Sequence, residues 1–328
     1  MNSFGRLFRV SIFGESHGSV VGVIIDGLPA GLKLDESDFL EDLSRRQGGN
    51  LGGTTPRKEK DIPIFQSGLF NAFTTGAPLN ISFLNENVRS ADYEAQRSIP
   101  RPGHADFVAH QKFSGFEDYR GGGHFSGRLT VGIVAAGVVA KKLLLGVSIQ
   151  ANVIELGGEK SVDAGIAKAK ARGDSVGGII ECRAMGLPIS LGEPFWDSVE
   201  SLLAHAAFAI PAVKGIEFGA GFSASRMTGS EHNDALEATT GKTSTNNAGG
   251  IVGGLSNGNE LVFRIVVKPT SSTPKQQNSL NAETGVMEDF TVKGRHDLAI
   301  ALRVPPVLEA MCAIVLADLM LINRAQLP

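Results

Sequence analysis

Four short segments rich in arginine, histidine and glycine carry the residues that could do chemistry. They are GESHG (14–18), RPGHAD (101–106), RGGGHFSGR (120–128) and KGRHD (293–297). An arginine or histidine beside glycine or proline is typical of a loop, not of the solvated face of a helix. Glycine lets backbone N–H groups approach a bound anion, and arginine offers a planar fork to carboxylate or phosphate. Together the segments predict a site for a compact polyanionic substrate and a phosphate-bearing cofactor.

Three better-known motifs match parts of the sequence only incompletely. GESHG matches the nucleophile elbow of hydrolases, with Ser16 as nucleophile, but a strand-like segment follows it where the elbow needs a helix. GKT (241–243) lacks both the upstream glycine and the preceding strand of a P-loop. GAGFSA (219–224) is not followed by the apolar helix of a dinucleotide-binding turn. The histidines show no spacing typical of metal ligands, so we expect no metal.

The composition predicts a globular enzyme without a nucleic-acid or membrane partner. The net charge of −3 leaves no dominant basic face, and 42% of the residues are hydrophobic. The most apolar run is interrupted by Lys141 and Lys142, which predicts a buried helix instead of a membrane span. No segment resembles a signal peptide, and Cys182 and Cys312 are expected to pack as small hydrophobic residues. We therefore expect a cytoplasmic location.

The elements that must position the polar segments are of mixed α and β type. Segments rich in β-branched residues predict strands at LFRVSIF, SVVGVIIDG, GGIIECRAMG, GIEFGAGF and ELVFRIVVKP. Helical spacing predicts helices at DESDFLEDLSRR, TVGIVAAGVVAKKLLL, FWDSVESLLAHAA and PPVLEAMCAIVLADLMLINR. TSSTPKQQNSLNAETG is typical of a loop. Two stretches share the order strand, Gly-Leu-Pro turn and helix, which suggests two halves of similar topology. Chance similarity of two strand-turn-helix units is the alternative, because only Gly-Leu-Pro matches well.

The order of motifs along the chain resembles the chorismate synthase family. FGESHG, DGLPAG, TPRKEKD, SGLFNAFTTGAPL, RPGHAD, YRGGGHFSGR, NNAGGIVGG, KPTSS and KGRHD follow one another as that family's signatures do. The resemblance implies an α+β fold, a β-α-β sandwich of two topologically similar halves, with residues 1–328 in one domain and a homotetrameric assembly. It implies a carbon–oxygen lyase of the shikimate pathway, which makes chorismate from 5-enolpyruvylshikimate 3-phosphate with reduced FMN and no net redox change. A flavin-dependent enzyme of this fold with a different anionic substrate is the alternative.

The resemblance also implies roles for individual residues. His17 would protonate or stabilise the departing phosphate, His104 would set the protonation of the reduced flavin, and Asp297 would assist removal of the ring hydrogen together with the flavin N5. The substrate anions would be bound by Arg46, Arg101 and Arg295. The FMN-binding residues would be His124, Phe125, Ser126, Pro211, Ala212, Gly253, Lys268, Pro269, Thr270, Ser271, Ser272 and Arg295. Reduced FMN would come from an external flavin reductase, and the family is also associated with NADP.

Three features depart from the family's pattern. Many members have Arg-Ser-Ser-Ala-Arg at 124–128, and many have Asn at Pro211. Gly52 stands where many carry a substrate-binding arginine, so that Arg45 and Arg57 become the candidates to compensate for the lost anion contact.

The glycines of GGGHFSG are expected to form one wall of the flavin pocket, with side chains removed so that the cofactor lies against the backbone.

Overall fold

The computed structural model describes residues 2–47, 52–54, 59–86, 98–292 and 297–326. Within these ranges the α-helices are α1 (Leu40–Gln47), α2 (Asp106–Phe113), α3 (Thr130–Leu143), α4 (Val162–Arg172), α5 (Val199–Ala209), α6 (Gly229–His232) and α7 (Pro305–Gln326). The strands are β1 (Ser3–Phe4), β2 (Arg9–Gly14), β3 (Val20–Asp26), β4 (Ile64–Ser67), β5 (Leu69–Phe70), β6 (Phe73–Thr74), β7 (Leu79–Leu84), β8 (Ser148–Leu156), β9 (Gly178–Met185), β10 (Val213–Phe218), β11 (Ile251–Val252), β12 (Leu255–Ser256), β13 (Leu261–Val267), β14 (Gln277–Leu280) and β15 (Met287–Phe290).

Two antiparallel sheets enclose a layer of helices. The first sheet has the order β1-β2-β3-β7-β4 and the second has the order β10-β13-β9-β8. Helix α3 packs on β3 and β7 of the first sheet, and α7 packs on β8 and β9 of the second. The two helices also pack along each other and share one continuous hydrophobic core with both sheets. The predicted β-α-β sandwich is confirmed.

The two halves repeat one topology. In chain order the first half runs β2, β3, α1, β4, β7 and α3, and the second runs β8, β9, α5, β10, β13 and α7, with α4 added after β8. The spatial orders β2-β3-β7-β4 and β8-β9-β13-β10 correspond strand by strand. Gly27 and Gly186, the glycines of the two Gly-Leu-Pro turns, both have φ of 83°. The repeat that the sequence suggests is therefore a structural repeat.

Small residues allow the central helices to approach each other. An ideal Cβ at Gly137 of α3 would lie 2.3 Å from the Cβ of Ala310 on α7, so glycine is required for this contact. Among the described helices, α7 is the one long and apolar enough to cross a membrane, but 72% of its most apolar window is buried inside the protein. It is the core helix of the sandwich. Cys182 and Cys312 are also buried, and neither forms a disulfide.

Two buried acidic residues on α7 accept hydrogen bonds from backbone N–H groups of neighbouring segments. Asp318 accepts hydrogen bonds from the backbone N–H groups of Arg6, Leu7 and Phe8, at 2.7–3.0 Å. Glu309 accepts one from the backbone N–H of Ala151 at 2.9 Å. Because a buried carboxylate must be hydrogen-bonded, these contacts determine where the N-terminal segment and β8 meet the helix.

The structure contains elements that the sequence patterns did not predict. Helices α2 and α4 and strands β7 and β8 lie outside the predicted segments. The segment predicted as a loop at 270–285 includes β14, which pairs with β15 in a two-stranded sheet. Here the loop prediction was wrong, because hydrogen bonding to a second strand overrides the weak local preference of a polar segment.

Candidate functional site

A cleft of about 750 Å³ brings together residues from distant parts of the chain. The predicted site residues that line it are Arg46, Arg101, His104, His124, Phe125, Ser126, Pro211, Ala212, Lys268, Pro269, Thr270, Ser271, Ser272 and Asp297. Most of them lie where a strand or helix begins or ends. Arg46 is in the last turn of α1, Lys268 directly follows β13, and Asp297 precedes α7. The two halves of the sandwich thus both contribute to one site.

Two predicted residues that the structure describes are not part of this lining, and for a third the lining is not described. His17 is buried in the turn between β2 and β3, behind the cleft wall. Gly253 lies in the turn between β11 and β12, and no atom would contact a Cβ placed there. Arg295 lies outside the described residues. The structure therefore brings His17 to the edge of the site and does not bring Gly253 into the cleft.

The three consecutive glycines make room for the two histidines. Gly121, Gly122 and Gly123 all have positive φ, at 61°, 81° and 52°. A Cβ at Gly121 would lie 2.2 Å from Nδ1 of His17, and a Cβ at Gly122 would lie 2.9 Å from Cε1 of His104. At Gly123 it would lie 2.0 Å from the backbone oxygen of Asp118. Among the described residues, the close neighbours of this backbone are the His17 and His104 side chains and the carbonyl of Asp118. That a flavin also lies against this segment stays a prediction.

A buried carboxylate joins two arginines at one end of the cleft. Arg46 Nη2 donates to Asp61 Oδ2 at 2.6 Å, and Arg128 Nη1 donates to Asp61 Oδ1. Arg128 also donates to Asn85 Oδ1 at 2.9 Å and to the carbonyl of Leu84 at 3.2 Å. Asp61 has φ of 50°, which is unfavourable for a residue other than glycine. Such strain is typical of functional sites, where the surrounding contacts hold it in place.

The charges at this end determine each other's pKa. Burial raises the pKa of Asp61, but the charges of Arg46 and Arg128 outweigh burial and leave this pKa below its ordinary value. Burial lowers the pKa of Arg46 to about 10; Asp61 opposes this change, whereas Arg303 and Arg128 add to it. Arg46 therefore remains a cation at neutral pH, in surroundings where a further anion would be favourable.

Two buried polar atoms of the cleft residues have no hydrogen-bond partner among the described residues. They are Nε of Arg46 and Oγ1 of Thr270. Buried polar atoms in proteins are almost always hydrogen-bonded. Because both residues line the cleft, we interpret these atoms as positions where a polar ligand can bind.

Arg303 connects Asp297 to the buried end. Its Nε donates to the carbonyl of Arg46 at 3.0 Å, and its Nη1 donates to Asp297 Oδ2 at 3.1 Å. Arg303 was not predicted as a site residue, since its segment, ALRVPP, contains no glycine and no second polar residue that would mark a site. Its contact with the carbonyl of Arg46 joins residues that are 257 positions apart in the chain.

The RPGHAD segment and α2 form a second charged cluster. Asp106 accepts hydrogen bonds from Arg101 Nε at 2.7 Å, from Arg101 Nη2 at 2.8 Å and from the Arg101 backbone N–H at 3.1 Å. His104 Nδ1 lies 2.5 Å from Asp106 Oδ1. Burial raises the pKa of Asp106, but hydrogen bonds from Arg101 and His104 outweigh burial and hold this pKa well below its usual range.

The KPTSS segment binds to the same loop. Lys268 Nζ donates to the carbonyl of Gly103 at 2.7 Å and to Ser271 Oγ at 2.8 Å. Arg101 Nη1 donates to Ser272 Oγ at 3.3 Å. Burial lowers the pKa of Lys268, and the positive charge of Lys214 lowers it further. The two loops thus form a single polar wall with cations and hydroxyl groups.

The HFS segment contributes mainly its shape to the cleft. His124 Nδ1 donates to the carbonyl of Gly14 at 2.8 Å, and Ser126 Oγ accepts from the backbone N–H of Arg128 at 3.3 Å. Phe125 is partly exposed, and its ring centroid lies 6.2 Å from that of Phe113. His124 and Ser126 are therefore engaged by the protein, whereas Phe125 offers an apolar surface to a ligand.

Arg45 does not compensate for Gly52. Its guanidinium donates to both carboxylate oxygens of Glu309, at 2.8 and 2.6 Å, and to Asp42 at 3.0 Å. It is not among the residues that line the cleft, because the helical spacing of α1 directs neighbours Arg45 and Arg46 to different sides. The other candidate, Arg57, lies outside the described residues.

Comparison with known proteins identifies similar chains. A family model described as chorismate synthase matches residues 8–321. A curated chorismate synthase of Chitinophaga pinensis is 64% identical over 325 residues, which are 99% of this chain and 98% of that protein. The chain belongs to the chorismate synthase family.

More distant members of the family support the same assignment. A chorismate synthase of Dehalococcoides mccartyi is 46% identical, and the match covers 98% of this chain and 96% of that protein. A crystal structure of chorismate synthase superposes with a TM-score of 0.76 at 27% identity, and the match covers 98% of this chain and 93% of that one. The family, the fold and the chorismate synthase function predicted from the sequence are confirmed.

Proposed function

We propose that this cleft catalyses the 1,4-elimination of phosphate from 5-enolpyruvylshikimate 3-phosphate to give chorismate. The observation that carries the proposal is the excess of cations in a partly buried cleft. The charged residues of its described lining are Arg46, Arg101, Arg128, Arg303 and Lys268 against Glu59, Asp61 and Asp297. A substrate with one phosphate and two carboxylates fits that excess, since arginine binds both kinds of anion through paired hydrogen bonds.

The residues also fit reduced FMN. Thr270 has a buried hydroxyl oxygen without a partner among the described residues, next to Lys268, Ser271 and Ser272, which suits a phosphate group. Phe125, Pro211 and Ala212 provide an apolar face for a flavin ring. When bound, reduced FMN supplies electron density transiently to weaken the bond between the substrate carbon and the phosphate oxygen.

Three residues would handle protons in this reaction. In the balanced reaction the C–O bond to phosphate and one ring C–H bond break, a C=C bond forms, and no net electron is gained or lost. Asp297, held by Arg303, would assist removal of the ring hydrogen together with the flavin N5, and His17 would protonate or stabilise the departing phosphate. His104 of RPGHAD, which lies against the glycine segment, would set the protonation of the cofactor.

We further propose that the enzyme is a cytoplasmic homotetramer that receives reduced FMN from an external reductase, with the reduced form of NADP (NADPH) as the more distant electron source. Arg295 remains in the proposal as a residue binding substrate and FMN. A flavin-dependent enzyme with a different anionic substrate is not favoured, because the chain is 64% identical to a curated chorismate synthase over nearly its whole length.

The test is an anaerobic assay with pre-reduced FMN and 5-enolpyruvylshikimate 3-phosphate, in which chorismate and phosphate are measured together. We expect equal amounts of both products, many turnovers per reduced FMN, and no turnover with oxidised FMN. Arg183→Ala serves as a control, because Arg183 pairs with Glu181 and Glu260 on the second sheet, away from the cleft. Equal rates with either form of FMN, or one flavin oxidised per product, would exclude the proposed reaction.

A further inference from the structure

Asp106 uses both carboxylate oxygens on two residues of the proposed site. Oδ2 accepts from the backbone N–H and from Nε of Arg101. Oδ1 lies 2.8 Å from Arg101 Nη2 and 2.5 Å from His104 Nδ1. Asp106 is the first residue of α2, whose backbone fixes the carboxylate relative to the loop before it. The Asp106 carboxylate therefore holds both Arg101 and His104, and both of these residues line the cleft.

These contacts determine which nitrogen of His104 carries a proton. An ionised carboxylate only accepts hydrogen bonds, and Asp106 remains ionised because its pKa is held well below its usual range by Arg101 and His104. Nδ1 must therefore donate to Asp106. Arg101 Nη2, 3.1 Å from the same Nδ1, is also a donor and cannot take its place as an acceptor. Nε2 is left as the nitrogen that can exchange a proton with a ligand.

The glycine segment closes the other side of the His104 ring. A Cβ at Gly122 would lie 2.9 Å from Cε1 and 3.2 Å from Nε2 of His104. The ring is thus held between Asp106 at Nδ1 and the backbone of Gly122 near Nε2. Among the described residues, Arg101 also lies close to the ring, and Lys268 Nζ binds the carbonyl of the adjacent Gly103.

We propose that Asp106 is a positioning residue that fixes His104 as the Nδ1–H tautomer and at the same time orients Arg101 for anion binding. The proposal rests on the proposed function of the cleft and adds to it a link between substrate binding and proton transfer. Asp106 itself does not contact substrate. It acts on the reaction through the two side chains that it holds.

The first test is the tautomer of His104 in the FMN-free protein, measured by long-range ¹H–¹⁵N NMR with His104→Gln to assign the signal. We expect the Nδ1–H tautomer at neutral pH in the wild-type protein. In Asp106→Asn, the amide group can donate to Nδ1, so the Nε2–H form should become populated. The Nε2–H tautomer in the wild-type protein would overturn the proposal, whether or not any variant folds.

The second test separates turnover from binding. Asp106→Asn should lower turnover at saturating substrate by roughly 10²-fold, as expected when an acid–base group is held in the wrong tautomer. Asp106→Glu, which keeps the charge, should recover part of that turnover and keep the Nδ1–H form. Wild-type turnover in Asp106→Asn would contradict the proposal. A purely structural role would lower the melting temperature and the active fraction but leave the tautomer unchanged.

Glu117→Gln is the matched control. Glu117 Oε1 lies 3.1 Å from Nδ1 of His110, the same kind of contact as that between Asp106 and His104 but outside the 750 Å³ cleft. We expect wild-type turnover in this variant. If the wild-type protein makes no chorismate but His104 is the Nδ1–H tautomer, the proposed reaction fails while the positioning by Asp106 stands.

Discussion

The two ends of the cleft use the same chemical unit in different surroundings. At each end one aspartate binds two cationic or polar partners: Asp61 binds Arg46 and Arg128, and Asp106 binds Arg101 and His104. The Asp61 side chain is 0% exposed and both its arginines are 4% exposed, whereas Asp106 is 27% and His104 21% exposed. The first end is dry and the second is accessible to water.

This difference in accessibility separates two tasks. In dry surroundings a charge without its partner is very costly, so the Asp61 end is suited to hold arginines rigidly for a substrate anion. Where water has access, a histidine can exchange protons at low cost, so the Asp106 end is suited to proton transfer. Asp297 is connected to the dry end through Arg303, which binds the carbonyl of Arg46, although the side chain of Asp297 is 12% exposed and that of Arg303 25%.

The largest effect is expected for Asp61→Asn. The variant leaves Arg46 and Arg128 buried without a counter-charge, which should cost about 3–5 kcal/mol of the free energy of unfolding. Urea denaturation of the purified protein measures this loss, and turnover should fall with it. Asp26→Asn is the control, because the Asp26–Arg9 pair lies on the surface and should contribute little. A free energy of unfolding near the wild-type value would show that water reaches the buried end.

Asp297→Asn tests the chemistry at the dry end without removing an arginine. The amide keeps the shape and an accepting oxygen for Arg303 but can no longer take up a proton. Turnover at saturating substrate should fall by roughly 10²–10⁴-fold, while substrate affinity changes little. Saturation kinetics together with calorimetry distinguish the two quantities. If saturating substrate restores most of the rate, Asp297 only orients Arg303.

Arg101→Ala tests anion binding at the accessible end. Loss of a hydrogen bond to a charged group should weaken substrate binding by about 1.5–3 kcal/mol, measured by calorimetry with FMN present. Asp106 also loses its main partner, so the tautomer of His104 should become less defined. Arg120→Ala is a matched control, since Arg120 makes the same kind of contact with Asp118 outside the 750 Å³ cleft. Unchanged substrate affinity in Arg101→Ala would remove Arg101 from the substrate site.

The smallest effect concerns the pH dependence of stability. Because folding lowers the pKa of Asp61, its ion pairs stabilise the protein fully above the ordinary carboxyl pKa of about 3.9 and lose this effect as the pH falls towards the folded-state pKa. Urea midpoints between about pH 6 and pH 3 should therefore fall more steeply for the wild type than for Asp61→Asn. Parallel curves would indicate that Asp61 has the same pKa in the folded and unfolded states.

The sequence predicted the site where its signals are local. The glycine, arginine and histidine residues of RPGHAD and RGGGHFSGR indicated two of its loops, and the two Gly-Leu-Pro turns indicated the two halves. Asp61, Asp106 and Arg303 were missed as partners, because each acts through a contact that only the folded backbone creates. That the three glycines admit a flavin stays a prediction; the sequence could not show that His17 and His104, 87 residues apart in the chain, both lie against them.

The glycine segment also bears on how the site forms during folding. His17 lies in the hairpin of β2 and β3, His104 lies in the loop before α2, and both are placed only when Gly121 and Gly122 come against them. The backbone N–H of Ser16 donates to the carbonyl of Gly123 at 3.1 Å, which closes the hairpin onto the same segment. The contact of His17 with Gly121 closes a loop of 104 residues, whereas that of His104 with Gly122 closes a loop of 18, so loop entropy opposes the first contact more. Partly folded chains would thus place His104 before His17, and a probe of both histidines would report the later contact.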